Sequence, residues 1–390
     1  LQLCGIVMIT MLLSSCSTTE KKEEEINNTY SDKNGSTEIE KDIPKETNVD
    51  TEEESVSIND SLAVRIPDVY EREEENVCFE AEVHCAESAK NGNIEIPAIQ
   101  LQFLNRDRVA DAILKDIVIV DESSSEWMTE DGSISTVFLY SGEQQQSLEI
   151  QPYRASYDTD YYRSYLYHAF DLERNAEKYA TSGQLSFMTP DEALKDVINL
   201  LSDMGVELGS EPDDTYYVLD CQTLSEEEYA IDIDGNVDYA AYKSSWTEED
   251  EAYYFCVWQT YGGIRIHCPN IEFIDKYEDF NAPIQAAISR DELLYLSLGR
   301  TFLMEADGKV QEMADLDTIA DTVIHKFSMI ITDASYRIDH MELVYYPEKT
   351  RGDAYEMRCA WILRITEELP DGGSSSFQMA VDAVSAEELY

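Results

Sequence analysis

Residues 189–204 read TPDEALKDVINLLSDM and form the clearest helical pattern in the sequence. Thr189 is a favourable N-cap residue, Pro190 suits the first helical position, and Gly205 can adopt the left-handed conformation that ends a helix. The apolar residues recur every three or four positions and form one stripe. The pattern predicts an amphipathic helix whose apolar side packs on another layer of structure.

Segments typical of strands follow this helix, and the same order occurs again further along the chain. The first set reads as strands over 215–224, 252–260 and 264–268. A second amphipathic helix is predicted over 317–329, followed by strands over 336–346, 354–365 and 376–384. A helix followed by an antiparallel meander therefore occurs twice. This predicts an α+β fold with two related units, 189–270 and 271–390, each a helix packed on an antiparallel sheet.

An N-terminal α+β segment is predicted over residues 70–188. Residues 77–85 alternate between apolar and polar and indicate a half-buried strand. A second strand is predicted over 94–104 and a short helix over 106–114. Residues 121–185 have no sustained period, apart from the strand-like VFLYSG and a stretch dense in tyrosine.

The first residues have the pattern of a lipoprotein signal. Residues 3–13 are uncharged and apolar, too short for a comfortable membrane span but typical of a signal-peptide core. The following Leu13-Ser14-Ser15-Cys16 resembles the bacterial lipobox, whose cysteine receives a diacylglyceryl group. We expect residues 1–15 to be the signal and Cys16 to carry lipid on the extracytoplasmic face of the cell membrane. An ordinary signal with an incidental cysteine, or a short N-terminal helix, is the alternative.

Residues 16–69 are predicted to be an acidic, disordered tether. Between residues 17 and 76 there are 19 acidic and 7 basic side chains and almost no core-forming residues. Such a segment cannot bury enough apolar surface to offset the entropy lost on ordering. The tether would hold the folded part away from the membrane.

The charge of the whole chain excludes several kinds of partner. Its 390 residues include 81 acidic and 28 basic side chains, for a net charge of −53. Nucleic-acid binding depends on basic side chains that neutralise phosphates, so no nucleic-acid partner is expected. Adsorption to an anionic membrane is disfavoured for the same reason, so membrane attachment would require the lipid. With 43% hydrophobic residues, the chain is nevertheless suited to folding.

The C-terminal unit resembles the PepSY-like domains of bacterial envelope proteins and lipoproteins. The matching features are the TPDEAL type of helix, the strand with Ala360-Trp361-Ile362-Leu363, and the final Val381-Asp382-Ala383-Val384. Ser385-Ala386 stands where the family usually has Thr-Gly. As a whole the chain is similar to uncharacterised lipoproteins of gut Clostridia that carry such domains. The resemblance implies protease inhibition or envelope regulation, and it brings no catalytic residues.

No catalytic, cofactor or metal motif emerges from the sequence, so we expect a protein that is not an enzyme and needs no cofactor. The repeated pairs His84-Cys85 and His267-Cys268 can each supply only one ligand to a site, because neighbours on a strand face opposite ways. Residues 232–238 favour a hairpin turn over a weak calcium loop, and Arg351-Gly352-Asp353 is best explained as a turn.

Six cysteines remain beyond the signal and the lipidated position. Their even number permits disulfides, whereas their low density and apolar contexts favour buried thiols. The anaerobic habitat implied by the resemblance also favours thiols. The six are Cys78, Cys85, Cys221, Cys256, Cys268 and Cys359.

The candidate partner surface is the tyrosine-rich stretch, because tyrosine offers flat amphipathic area at low entropy cost. The candidate residues are Tyr157, Tyr161, Tyr162 and Tyr165. The expected function is a non-catalytic, surface-anchored lipoprotein that binds a protein or peptide partner and regulates an envelope protease or sensor. The alternative is an accessory lipoprotein that binds a glycan or solute in a tyrosine-lined cleft. Packing of these tyrosines against a sheet is the simpler interpretation.

Overall fold

The computed structural model describes residues 66–389, except 129–133, 173, 210, 228–242, 268–281, 306–307, 331–332 and 351–353. The predicted signal, Cys16 and nearly all of the tether lie outside the described residues. So do the 232–238 loop, Cys268 and the tripeptide at 351–353.

The described residues form nineteen strands and five α-helices. In chain order the strands are β1 (Val69–Glu74), β2 (Val77–His84), β3 (Asn93–Ile96), β4 (Ile99–Leu101), β5 (Ile119–Met128), β6 (Ile134–Gly142), β7 (Ser147–Gln151), β8 (Arg154–Asp158), β9 (Asp213–Leu219), β10 (Ala252–Trp258), β11 (Thr260–Tyr261), β12 (Ile264–Arg265), β13 (Ile284–Ser289), β14 (Leu293–Leu298), β15 (Phe302–Met304), β16 (Lys309–Glu312), β17 (Ser335–Lys349), β18 (Tyr355–Glu368) and β19 (Ser374–Asp382). The helices are α1 (Arg106–Ile113), α2 (Tyr167–Ala169), α3 (Pro190–Met204), α4 (Cys221–Glu227) and α5 (Leu316–Ser328). A π-helical turn, Tyr162–Leu166, precedes α2.

One sheet has five strands in the order β1-β2-β17-β18-β19. All neighbours are antiparallel except β2 and β17, which run parallel. Helix α5 packs on one face, where Ile319, Val323 and Phe327 share one hydrophobic core with Phe79 of β2 and Trp361 of β18. Burial of each such side chain contributes about 1.5–3 kcal/mol, so this core holds both ends of the described chain together.

The second sheet has eight strands in the order β5-β6-β7-β8-β14-β13-β10-β9. Helix α3 packs on one face through Ala193, Val197 and Leu201, against strands that include β10 and β13. The opposite face of β10 is covered by the segment 162–179 and forms a second aromatic core around Tyr254. Three two-stranded sheets, β11-β12, β15-β4 and β16-β3, complete the described strands.

Sequence signals explain where the helix α3 begins and ends. The Thr189 hydroxyl accepts a hydrogen bond from the Glu192 backbone N–H at 3.2 Å, and the Glu192 carboxylate accepts one from the Thr189 N–H at 2.9 Å. Gly205 ends α3 with φ +88°, a conformation that a side chain disfavours. The Arg108 side chain donates to the last carbonyls of α3, those of Ser202 and Asp203, each at 2.6 Å. These contacts confirm the predicted helix.

Two predicted strands differ in the structure. The strand expected over 94–104 is divided into β3 and β4, because Pro97 between them lacks a backbone donor. The strand expected over 215–224 ends at Leu219. Asp220 then accepts hydrogen bonds from the Gln222 and Thr223 backbone N–H groups at 3.1 and 3.0 Å and starts α4 instead.

The predicted α+β class, with a helix packed on a sheet in two places, is confirmed. The sheets do not follow the predicted boundaries, however. β2, from the segment 70–188, lies beside β17 of the unit 271–390. β13 and β14, also from 271–390, lie in the eight-stranded sheet on which α3 packs. Alternation shows which face of a strand is buried but not which strand lies beside it, so these long-range pairings could not be predicted.

Candidate functional site

The structure separates the four predicted tyrosines into two buried and two partly exposed residues. Tyr157 on β8 is 3% exposed and Tyr162 is 7% exposed. The Tyr162 ring stacks on that of Tyr295, with centroids 4.3 Å apart. Tyr157 and Tyr162 are therefore core residues, and their assignment to a partner surface was wrong. Tyr161 and Tyr165 remain at the surface, with ring centroids 5.8 Å apart.

Tyr161 belongs to a small cluster with Lys243, Trp246 and Asp250. The Lys243 ammonium lies 5.4 Å from the Tyr161 ring centroid and 5.0 Å from that of Trp246. It forms an ion pair with Asp250, which also accepts a hydrogen bond from the Tyr161 hydroxyl at 3.1 Å. Cations bind to aromatic faces in this way, so the cluster already contains the cation that its rings favour.

Asp250 organises this cluster because several donors converge on its carboxylate. Burial pushes its pKa upwards, but the hydrogen bonds from Lys243 and Thr247 outweigh that effect and hold the pKa below the usual range. The Thr247 backbone N–H donates to Asp250 at 2.8 Å. The arrangement fastens residues 243–250 to the π-helical turn, and we interpret it as a structural clamp.

The hairpin of β5 and β6 is the most exposed part of the eight-stranded sheet. β6 pairs with β7 only over Phe138–Ser141, whereas its pairing with β5 continues to Ile134 and Met128. The outer half of the hairpin thus extends beyond β7. Every residue of β5 is exposed, and β5 is the last strand at this side of the described sheet.

Large apolar side chains lie at the outer end of this hairpin. Met128 and Ile134 are opposite one another and are 74% and 68% exposed, and the neighbouring Trp127 is 40% exposed. Exposed apolar groups of this size commonly mark interaction sites. Sequence reasoning missed this surface, because β5 is exposed on both faces and shows no alternation.

Acidic residues lie along the same strand. Asp121, Glu122 and Glu126 are exposed, and β5 contains no basic residue. Glu122 is paired with Arg106 at 2.9 Å, and the Arg106 guanidinium also lies 4.6 Å from the Phe138 ring centroid. The hairpin therefore combines an apolar end with a negatively charged edge.

Three of the five histidines gather around Glu342 of β17. His84 lies directly across from Glu342 in the parallel pairing of β2 and β17, and the His84 and His340 ring centroids are 4.6 Å apart. Burial lowers the pKa of His267 to about 4, so its ring is neutral at pH 7. Burial raises the pKa of Glu342, but its hydrogen bond with His340 and the charge of Arg265 outweigh burial and lower it.

Arg265 of β12 connects this cluster to the other sheet. Its guanidinium contacts Asp213 of β9 at 2.7 Å and Glu342 at 3.7 Å, and it lies 4.2 Å from the Trp258 ring centroid. These contacts join β9 and β10 of one sheet to β17 of the other. We interpret the cluster as a polar connection between the two sheets.

The cysteines within the described ranges are all free thiols. Burial raises the pKa of Cys85 to about 11 and that of Cys359 well above its usual value. The thiolate is the reactive form, so both thiols are poor nucleophiles at neutral pH. Among the residues that the structure covers, no group of three or more His, Cys, Asp or Glu side chains has the arrangement of a metal site. None of the described helices has the length and hydropathy of a membrane span.

The comparisons with known proteins support the fold and leave the function open. No protein-family model matches the chain, and the search of curated proteins finds no match. A crystal structure of an uncharacterised protein from Eubacterium rectale is similar over 83% of this chain and 94% of that one, with a TM-score of 0.59 and 16% identity. This likeness shows a shared fold. The C-terminal domain of YpeB from Bacillus megaterium aligns over 74% of this chain and 97% of that domain with 10% identity, but its TM-score of 0.26 carries no conclusion.

Proposed function

We propose that this protein is a non-catalytic lipoprotein that binds a protein or peptide partner and thereby regulates an envelope protease or sensor. In this proposal a lipid on Cys16 holds the chain at the extracytoplasmic face of the cell membrane, and the acidic segment 16–69 serves as the tether. The twofold occurrence of a helix on a sheet supports the PepSY-like assignment at the level of fold.

The observation that carries the proposal is the exposed hairpin of β5 and β6. An interface needs apolar groups that a partner can bury, surrounded by polar groups that give specificity. The apolar groups here are Trp127, Met128 and Ile134. The polar groups are Asp121 and Glu126. The acidic residues also favour a partner with a basic face, since opposite charges speed encounter and fix orientation.

Glycan binding is the second candidate, and it rests on the tyrosine-rich stretch. With Tyr157 and Tyr162 in the core, a glycan platform would have to use Tyr161, Tyr165 and Trp246. The Lys243 ammonium already lies against two of these rings. The hairpin is therefore the stronger candidate for recognition.

Site-specific photo-crosslinking in intact cells tests the proposal. A benzophenone amino acid in place of Met128 should give a discrete adduct with one protein. The same substitution at Met329, which is 71% exposed at the end of α5, is the matched control and should not give that adduct. A polysaccharide adduct at position 128 would favour glycan binding. The absence of any discrete adduct at position 128 would contradict the proposal.

A further inference from the structure

We propose that the outer edge of β5 accepts an extended, Lys- or Arg-bearing segment of the partner as an additional β-strand. This inference rests on the proposed function and specifies how the partner binds and what chemistry it presents. Strand addition to an exposed sheet edge is a general mode of peptide recognition, in which main-chain hydrogen bonds supply affinity and alternate side chains supply specificity.

The backbone of β5 has the geometry that strand addition requires. β5 is ten residues long, pairs with β6 on one side, and has no described strand on its other side. Peptide groups alternate between the two sides of a strand, so about half of its residues direct their N–H and C=O groups outward. This row of groups is a template for a further strand.

The other outer strands of the two large sheets are partly occupied or more highly charged. The outer side of β9 receives a bridge in which the Val218 N–H donates to the Ala180 carbonyl at 2.8 Å. Beside β19, the Leu389 N–H donates to the Ala380 carbonyl at 2.9 Å. β1 carries three glutamates and one arginine in six residues, and this Arg72 is paired with Asp321 of α5.

The side chains of β5 also permit a neighbour. Natural edge strands are commonly protected by lysine, proline or short length. β5 has neither lysine nor proline, and its centre is Ser123-Ser124-Ser125, whose small side chains leave the edge accessible.

Charge indicates what the added strand should carry. Asp121, Glu122 and Glu126 are the only charged residues of β5, and the chain as a whole has a net charge of −53. Oppositely charged residues directly across two strands stabilise their pairing, and like charges destabilise it. A strand with Lys or Arg at alternate positions therefore complements this edge.

The same reasoning disfavours a second copy of this chain as the occupant. If two β5 strands paired antiparallel about Ser124, Glu122 of one copy would lie opposite Glu126 of the other. The two chains would also repel each other through their net charges, so a cationic segment from another protein is the better fit.

The test uses the full chain and three synthetic decapeptides at low salt. The first alternates lysine with valine. The second has glutamate in place of lysine. The third keeps the lysines but carries N-methyl groups on alternate backbone amides, which removes hydrogen-bond donors and retains the charge. Hydrogen exchange of the β5 amides and the dissociation constant are measured for each peptide.

We expect the lysine peptide to slow exchange of the β5 amides at least tenfold and the other two peptides to have no such effect. Glu126→Lys should weaken binding roughly fivefold, consistent with a cross-strand charge pair. The matched control is Glu71→Lys, which makes the same change at an exposed position on β1 and should leave binding unchanged. Circular dichroism checks that both variants are folded.

Two proline variants test the role of the backbone. The N–H groups of Ser123 and Ser124 point to opposite sides of β5, so one of them faces outward and the other faces β6. Ser123→Pro and Ser124→Pro are both made, and the variant that keeps the native exchange pattern of β6 is the one that removes an outward donor. That variant should lose peptide binding.

Each contrary result has a defined meaning. If the N-methylated peptide bound as tightly as the unmodified lysine peptide, the interaction would be electrostatic attraction alone, and strand addition would be wrong. If the protein formed dimers in which the β5 amides were protected from exchange, the edge would bind a second copy of this chain, and the inference would also be wrong. If the lysine peptide fails to bind while crosslinking at position 128 captures a protein, this inference is wrong and the proposed function stands. If that crosslink is absent, the proposed function itself fails.

Discussion

Replacing His267 with glutamine should make the stability of this protein less dependent on pH between about pH 4 and 6.5. His267 is buried, and its backbone N–H donates to the Tyr345 carbonyl at 2.8 Å. Its ring lies near that of Tyr346, with centroids 6.2 Å apart. Burial disfavours the charged imidazolium, which is why the pKa falls from 6.5 to about 4.

The two pKa values determine both the sign and the size of the effect. Between them the unfolded chain binds a proton at His267 and the folded chain does not, so acid favours unfolding. The contribution of neutral His267 to the free energy of unfolding is fully present above pH 6.5 and is lost as the pH falls towards 4. The full difference corresponds to about 3 kcal/mol, of which about 2 kcal/mol would be lost between pH 7 and pH 5.

Denaturant unfolding of the wild type and of His267→Gln at pH 7 and pH 5 measures this difference. Carboxylates also contribute to acid unfolding, so the informative quantity is the gap between the two pH profiles. Glutamine is neutral at both pH values, and its profile should be flatter by about 2 kcal/mol. His325→Gln is the matched control, because His325 is exposed on α5.

A direct titration provides an independent check. In a proton NMR titration, the His267 ring signal should not shift until the pH falls below about 5. Parallel stability profiles for the wild type and His267→Gln, or a His267 signal that titrates near pH 6.5, would refute the reasoning.

Three further predictions concern a cap, an ion pair and the lipid. Thr189→Ala should reduce the free energy of unfolding by about 1 kcal/mol, measured by urea unfolding, because α3 loses its capping box; an unchanged midpoint would contradict this. Arg265→Met should reduce it by about 2 kcal/mol, since two carboxylates lose their shared cation, whereas Arg290→Met at an exposed position should change it little. Cys16→Ala should abolish labelling by an alkyne fatty acid in cells and release the protein from the membrane fraction, whereas Cys78→Ala should do neither. Continued labelling of Cys16→Ala would exclude lipidation at this cysteine.

The sequence predicted those elements whose signals are local. Thr189, Pro190 and Gly205 define α3 through groups within a few residues of one another, so the structure has the helix where the pattern put it. The alternation over 77–85 likewise predicted β2, with Val77, Phe79 and Ala81 buried. Each of these features depends on backbone preferences or on one buried face.

Features that depend on distant residues could not be predicted. The stacking of Tyr162 on Tyr295 joins segments whose sequences show no relation to each other. A dense group of tyrosines is equally consistent with a binding surface and with an aromatic core, and only the packing partner distinguishes them. β5 could not be predicted for a different reason. Both of its faces are exposed, so its sequence lacks the alternation of apolar and polar residues by which a strand is recognised.

The parallel pairing of β2 with β17 imposes an order on folding during synthesis. Val77 and Tyr336 are partners across this pairing, although roughly 260 residues separate them in the chain. β2 leaves the ribosome early, but the residues that cover its apolar face, on α5 and β17, are synthesised much later. All eight strands of the other sheet are synthesised after β2 and before β17. A nascent chain that stops before residue 335 would therefore expose Val77 and Phe79, and chaperones or proteases would recognise it as incomplete.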